Sequence, residues 1–243
     1  MLERMNCRVW ALASLLSVVV CGCGGSQKEA NTADNDVEEV DDEYTGVEHI
    51  SATAEIGALP EEDSVWAFRE SFDAIQKCFI AGAHRIDFIG GEISFQVWVN
   101  SAGQVEEVYA DNSTLGDRTT EQCMFDALRG APWPKPVGGP IGVAQNAFEF
   151  EMTGDVRPPV PWDESQVADA LASKRAEINE CKNGSSEHFL ATAYVDTDGR
   201  PMSVGMAAPN RHEEVNSDCL VQVVEGITFP SPGSWPSKVS FYL

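Results

Sequence analysis

Apolar residues recur along the chain with two different periods, which predict a helix followed by a strand from residue 64 onward. Five of them are spaced three or four residues apart, as on one face of a helix: Val65, Phe68, Phe72, Ile75 and Phe79. Four more lie two residues apart, as on one face of a strand: Ile93, Phe95, Val97 and Val99. The segment Asn100-Ser-Ala-Gly103 then predicts the turn into a second strand.

The same pattern returns 96 residues later, which indicates an internal repeat. Five identities share this offset: Gly103 with Gly199, Cys123 with Cys219, Gly130 with Gly226, Pro134 with Pro230, and Pro136 with Pro232. Each copy reads as helix, strand, turn, strand, helix, strand, with final strands predicted at 147–152 and 239–242. The first copy carries an insertion around Gly82 to Gly91, because Cys78 lies farther from Gly103 than Cys181 lies from Gly199.

This repeat predicts an α+β fold of two tandem αββαβ modules, at residues 64–152 and 163–243. Each module is expected to be a three-stranded antiparallel sheet with two helices on one face. A Pro-rich linker, residues 153–162, joins them. Residues 23–63 are strongly acidic, and between Gly24 and Asp63 there are 13 acidic residues and one basic residue. Such a segment predicts a disordered tether or spacer, with an acidic docking site for a basic protein or divalent cations as the alternative.

The N-terminus predicts a lipoprotein signal peptide over residues 1–22. Arg4 and Arg8 precede an apolar run that is too short to cross a bilayer as a helix. The run ends in Val20-Cys-Gly-Cys23, which resembles a bacterial lipobox with Cys23 as the acylated residue. A plain secretory signal is the alternative. Cysteine counting favours lipidation, because cleavage before Cys23 leaves it with four other cysteines, an even number.

Composition and motifs argue against several functions. The formal net charge of −23, without a basic patch, disfavours nucleic-acid binding. Asp196-Thr-Asp-Gly199 resembles the start of a calcium loop, but a hairpin turn is the preferred interpretation. The four histidines show no metal-ligand or catalytic spacing: His49, His84, His188 and His212. We therefore expect no catalytic residues, no metal site and no cofactor.

The repeat resembles the TonB C-terminal domain superfamily, and more closely its cysteine-bearing relatives, the AgmX/PglI C-terminal domains of bacterial envelope proteins. In that family two helices each carry a cysteine, beside a glycine turn and a Phe-Pro corner. The first copy matches with Cys78, Gly103, Cys123 and Trp133-Pro134, and the second with Cys181, Gly199, Cys219 and Phe229-Pro230. A lipid anchor replaces the transmembrane helix of TonB, so energy transduction is not implied.

The four remaining cysteines are expected to form structural disulfides. Sequence alone permits three pairings, and the repeat selects the one that is the same in both copies, Cys78 with Cys123 and Cys181 with Cys219. A redox or metal pair is the alternative, although no Cys-x-x-Cys motif exists.

Five aromatic residues are candidates for partner binding. Trp98 and Tyr194 lie on the strand face opposite the predicted core, where they either pack one copy against the other, which we favour, or await a partner. TonB-like domains engage extended peptides at a sheet edge, and this resemblance makes the final strands, with Phe148, Phe150 and Phe241, the candidate edges.

The sequence thus predicts a non-enzymatic lipoprotein of the bacterial envelope, anchored through Cys23 in the outer membrane and facing the periplasm. Its modules are expected to bind envelope proteins or extended peptides, in an envelope-spanning motility or transport assembly. One alternative is a small-ligand binder or enzyme with a site between the modules. The other is a purely structural lipoprotein.

Overall fold

The computed structural model describes residues 56–152 and 154–243, here called the first and second modules. The first contains β1 (Ile56–Gly57), α1 (Glu61–Ala83), β2 (Gly91–Asn100), β3 (Val105–Ser113), α2 (Arg118–Arg129) and β4 (Ile141–Phe150). The second contains β5 (Val160–Trp162), a 3₁₀ turn (Glu164–Gln166), α3 (Ala168–Ser173), α4 (Arg175–Cys181), β6 (Leu190–Val195), β7 (Pro201–Ala207), α5 (Glu214–Glu225) and β8 (Ser237–Tyr242). The predicted signal peptide and Cys23 lie outside the described residues.

The fold is α+β as predicted, but each sheet has four strands and not three. The strand orders are β1-β4-β2-β3 and β5-β8-β6-β7. The antiparallel β2–β3 and β2–β4 pairs recur as β6–β7 and β6–β8, while β1 and β5 add parallel to β4 and β8. The additional strands come from segments predicted as tether and linker. Two or three residues are too few to show a strand period, so the sequence pattern does not reveal them.

The second helices of the two modules agree closely, whereas the first helices do not. The bounds of α2 and α5 differ by the repeat offset, and each helix ends immediately before a glycine, Gly130 or Gly226. The first module has one helix of 23 residues, α1. In the second module the predicted single helix is interrupted at Lys174 and divided between α3 and α4. Its buried apolar positions are few, so little packing energy holds it straight.

Each module has its own core between its helices and one face of its sheet. In the first core, Ile93, Phe95, Val97 and Val99 pack with α1 and α2, as their spacing predicts. In the second core, Ala191, Ala193 and Val195 pack with residues of α4 and α5. Phe95 meets Phe125 of α2 at a ring-centroid distance of 6.0 Å. The opposite sheet faces are therefore free to meet each other.

The two β-turns confirm the repeat at the level of single hydrogen bonds. Asn100 Oδ1 accepts from the amides of Ala102 and Gln104, at 3.0 and 3.1 Å. Asp196 Oδ1 accepts from the equivalent amides of Asp198 and Arg200, at 2.9 and 2.8 Å. In both turns a glycine takes a positive φ, Gly103 at 81° and Gly199 at 82°, a conformation that favours glycine. Asp196 thus serves a hairpin turn.

The disulfides are those that the repeat predicts. Cys78 is bonded to Cys123 with a Cα–Cα distance of 5.7 Å, and Cys181 to Cys219 with 5.5 Å. Both separations are typical of disulfides. One bond joins α1 to α2 and the other joins α4 to α5, and the half-cystines at Cys78 and Cys181 are buried.

Candidate functional site: the interface between the modules

The inner edge strands β3 and β7 meet where the two modules contact each other. The amide of Ala208 donates to the carbonyl of Ala110 at 2.9 Å. Ser203 Oγ donates to the carbonyl of Gly116 at 2.7 Å. Gly116 and Gly205 lie so close that a Cβ added to Gly205 would stand 2.8 Å from the Gly116 backbone. Both inner edges are therefore covered by the other module.

Tyr194 of the second module inserts into the first. Its side chain is fully buried and belongs to the first module's core cluster, with its ring centroid 5.5 Å from that of Phe88. Its hydroxyl donates to the Gly90 carbonyl and accepts from the Gly90 amide, both at 3.2 Å. Burial raises the pKa of Tyr194. Lys238 Nζ also donates to the Gly90 carbonyl, at 2.6 Å, and burial lowers the pKa of Lys238 to about 8.

Trp98, the counterpart of Tyr194, makes the reciprocal contact. It packs against the second module's core, and the guanidinium carbon of Arg211 lies 4.0 Å from its ring centroid. A cation at this distance over an aromatic ring is attracted to the ring face. Of the two interpretations of these aromatics, the structure supports packing of copy against copy.

Equivalent positions of the two modules face one another, so the interface approximates a two-fold arrangement. Arg118 pairs with Glu214, and these residues are 96 apart, the repeat offset. Gln122 Nε2 donates to Asp218 Oδ1 at 2.9 Å, and this pair has the same offset. Arg118 also bonds Asp218, at 2.8 Å. An isologous interface brings like positions together. Here the positions are alike, but the side chains have become complementary.

Glu121 is the most perturbed carboxylate at this interface. It is completely buried, and it accepts from Ser113 Oγ at 2.6 Å and from the Met206 amide of the second module at 3.0 Å. Burial raises its pKa to about 7, against the opposing influence of Arg118 at 3.9 Å. Burial likewise raises the pKa of Glu214. Sequence reasoning missed Glu121, because a Glu in an amphipathic helix is ordinarily solvated; its counterpart, Ser217, is also buried.

A cleft of about 460 Å³ opens on the solvent side of this cluster, between β3, α2 and α5. Its lining combines five carboxylates and two arginines with a few neutral residues: Glu106, Glu107, Asp126, Glu214, Asp218, Arg118, Arg129, Gln122, Val108, Phe125 and Val215. None of these lining residues is a Ser, Thr, Cys, His or Lys. In the parts of the chain that the structure describes, no three His, Cys, Asp or Glu side chains are grouped to hold a metal ion.

Of the three phenylalanines proposed for partner binding, Phe150 and Phe241 are buried in the module cores, and Phe148 is half-buried against the first core. Phe148 stands 6.0 Å from Phe72 between ring centroids, and Phe150 stands 4.7 Å from Phe79. Phe241 is buried against Phe229. The expectation that the final strands form sheet edges is wrong, because β1 and β5 flank them on the outside.

Among the described residues, no helix combines the length and apolar character that crossing a bilayer requires. The fold and the interface define a class of protein: a tandem of disulfide-bonded α+β modules docked through divergent copies of one surface. Comparison with protein-family models, with curated proteins and with solved structures finds no match. The resemblance to TonB-like domains therefore rests on the sequence motifs alone.

Proposed function

We propose that this chain is a lipid-anchored, non-enzymatic protein of the bacterial envelope whose modules bind extended segments of other envelope proteins. The main observation in support of this proposal is that docking of the modules covers the inner sheet edges and leaves β1 and β5 as the outer edges of the two sheets. An open edge offers backbone N–H and C=O groups to an added strand, and neighbouring side chains supply specificity. Ile56 of β1 is 54% exposed, and Pro161 of β5 is exposed.

The cysteines support the anchor. Cys78, Cys123, Cys181 and Cys219 are all consumed in two disulfides. Cleavage before Cys23 leaves that residue as the single cysteine outside these pairs. In an oxidising compartment a free thiol is a liability, and acylation removes it. The proposed location is the periplasmic face of the outer membrane, since no Asp follows Cys23.

The resemblance to AgmX/PglI-type domains supports a place in an envelope-spanning motility or transport assembly. Two modules fixed by one interface present β1 and β5 as a pair of edges. A partner with two extended segments could engage both edges, and linkage would raise its avidity.

Site-specific photo-crosslinking in cells tests the binding proposal. A photoreactive residue replaces Ile56, Pro161 or, as a control on α5 away from either outer edge, Glu225. We expect both edge positions to capture the same envelope protein and the Glu225 position to capture much less of it. Equal capture at all three positions, or no reproducible partner at either edge, would contradict strand addition; the latter would favour a purely structural lipoprotein.

Metabolic labelling with a fatty acid tests the anchor separately. The wild-type chain and Cys21→Ala are expected to incorporate label, because Cys21 precedes the cleavage site. Cys23→Ala is expected to lose it. An unlabelled wild-type chain would end the lipoprotein proposal and leave a plain secretory signal.

The alternative is a small-ligand binder or enzyme with a site between the modules, and the cleft is the candidate for that site. Its mixture of carboxylates and arginines suits a polar ligand that carries both signs of charge. Saturation-transfer NMR with amino acids and short peptides would detect such a ligand. Loss of the signal in Gln122→Leu, at the lining, would favour this alternative.

A further inference from the structure

The carboxyl group of Glu121 is covered by the backbone of the other module. Its Oε2 accepts from the Met206 amide at 3.0 Å, and a Cβ added to Gly205 would collide with its Oε1. Both of these residues belong to β7. The absence of a side chain at Gly205 thus leaves the space that the carboxyl group fills. Separation of the modules would remove this cover and return the carboxyl group to water.

The repeat shows that this interface does not require a carboxyl group. At the offset of 96, Glu121 corresponds to Ser217, and Gly205 corresponds to Tyr109. Ser217 and Tyr109 are both buried, and Tyr109 belongs to the core cluster of the second module. These equivalent positions are therefore filled by neutral side chains, whereas Glu121 can gain or lose a proton. A buried carboxyl group that packing does not require is a candidate for a functional role.

The groups that face Glu121 do not supply enough positive charge for it. On α2 it faces Arg118, whose guanidinium lies 3.9 Å away. That guanidinium also bonds Glu214 and Asp218 of α5, so it is shared among three carboxylates. Neutral donors face Glu121 from β3 and β7, namely the Ser113 hydroxyl and a backbone amide. Burial raises the pKa of Glu121 to about 7 and also raises the pKa of Glu214. The closed interface is thus relieved of excess negative charge when Glu121 binds a proton.

We propose that a proton on Glu121 controls the docking of the modules: the protonated interface is closed, and loss of the proton opens it and uncovers the inner edge strands β3 and β7. The closed state binds this proton more tightly than the open, hydrated state, so docking weakens as pH rises between about 4.5 and about 7. The uncovered strands have 9 and 7 residues, against 2 and 3 for β1 and β5. The opening does not depend on strand addition at β1 or β5, so this proposal and the proposed function can fail separately.

Amide hydrogen exchange of the full-length chain measures this opening. The Ala208 amide donates to the Ala110 carbonyl and the Met206 amide to Glu121, so the first module protects both amides. From about pH 5 to about pH 7.5, their exchange, divided by that of unstructured peptide, should accelerate ~10- to 100-fold. At the upper pH they should exchange at least about tenfold faster than amides of β2, which stays paired on both sides. The series ends below the pKa of Lys238, which burial lowers to about 8, because loss of that proton favours docking.

Glu121→Gln assigns the response to this carboxyl group. The amide keeps an acceptor for the Met206 amide and does not ionise, so exchange should change less than about threefold over the same range. Glu106→Gln is the matched control, because Glu106 is an exposed carboxylate of the same cleft, and it should keep the wild-type response. The wild-type series tests the opening even where a variant fails to fold. Two wild-type amides that ignore pH or exchange no faster than β2, or a folded Glu121→Gln chain that responds like the wild type, would overturn the proposal.

Discussion

The buried carboxylate of Glu121 accepts hydrogen bonds from Ser113 and Met206, but the positive charge of Arg118 does not fully offset the cost of burying its negative charge. Its pKa of about 7 lies above the ordinary value, so the native state binds more protons than the unfolded state between about pH 4.5 and pH 7. The contribution of this group to the free energy of unfolding therefore falls as pH rises through that window. The loss is of order 3 kcal/mol at most and is complete above pH 7 or so.

Glu121→Gln should remove this pH dependence. The amide oxygen can still accept from the Met206 amide, and its NH₂ can donate to Ser113 Oγ. We expect the variant to equal the wild type near about pH 5 and to exceed its free energy of unfolding near about pH 8, as measured by urea denaturation. A difference that does not change with pH would mean that Glu121 has an ordinary pKa.

Arg118 holds two carboxylates of the other module, and its removal should be costly. Its side chain is 10% exposed, and that of its partner Glu214 is 14% exposed. Arg118→Met leaves a largely buried carboxylate without its cation, so we expect a loss of about 2–3 kcal/mol in the free energy of unfolding. Arg129→Met on the same helix is the control. Arg129 and its partner Asp126 are 46% and 76% exposed, so this loss should stay below about 1 kcal/mol.

At the scale of elements, the sequence predicted most of the features that are present in both copies of the repeat. The glycine turns, the α2 and α5 helices and both disulfides follow from residues found at equivalent places in each copy. A short strand without a period of its own, such as β1 or β5, gives no such signal. The order of strands in the sheet was wrong at the outer edge for that reason.

The two disulfides should differ in how strongly the helices that they join depend on them. In the chain-entropy model, each closes a loop worth about 4 kcal/mol. Once Cys78 and Cys123 are both replaced by Ala, α1 still buries Phe68, Ile75 and Phe79. In contrast, α3 buries no residue, and α4 buries only Ile178 besides Cys181.

We therefore expect the Ala replacement of Cys181 and Cys219 to loosen α3 and α4 locally. Amide hydrogen exchange in residues 168–181 should accelerate much more than exchange in α1 does when the first disulfide is removed. Similar acceleration in the two helical regions would show that the bonds stabilise the modules only globally, through the unfolded chain.

At the scale of the whole molecule, the docking of the modules was only partly visible in the sequence. The strand faces of Trp98 and Tyr194 indicated that copies could pack, because their positions are equivalent and both are aromatic. The pairing of Arg118 with Glu214 was not visible, since it depends on which equivalent positions approach the two-fold axis. That geometry arises from tertiary packing, where β3 and β7 meet.

We expect the close backbone approach of Gly116 and Gly205 to couple the two modules into one unfolding unit. In Gly205→Ala the new Cβ would meet the Glu121 carboxylate first, and it would also stand 2.8 Å from the Gly116 backbone, which cannot rotate away. The modules must therefore separate locally. Overpacking of this kind lowers the free energy of unfolding by about 1–3 kcal/mol. It would also disturb the Met206 amide that Glu121 accepts from. Each core, however, keeps its own disulfide and its own helices.

Calorimetry should therefore show one heat-absorption transition for the wild type and two for Gly205→Ala, as the modules come to unfold separately. Gly130→Ala is the matched control, because its new Cβ would have no neighbour closer than 3.6 Å and its φ of −80° suits alanine. A Gly205→Ala chain that unfolds in one transition at the wild-type temperature would contradict a tight interface. A destabilised single transition would mean that the modules still unfold together despite the clash.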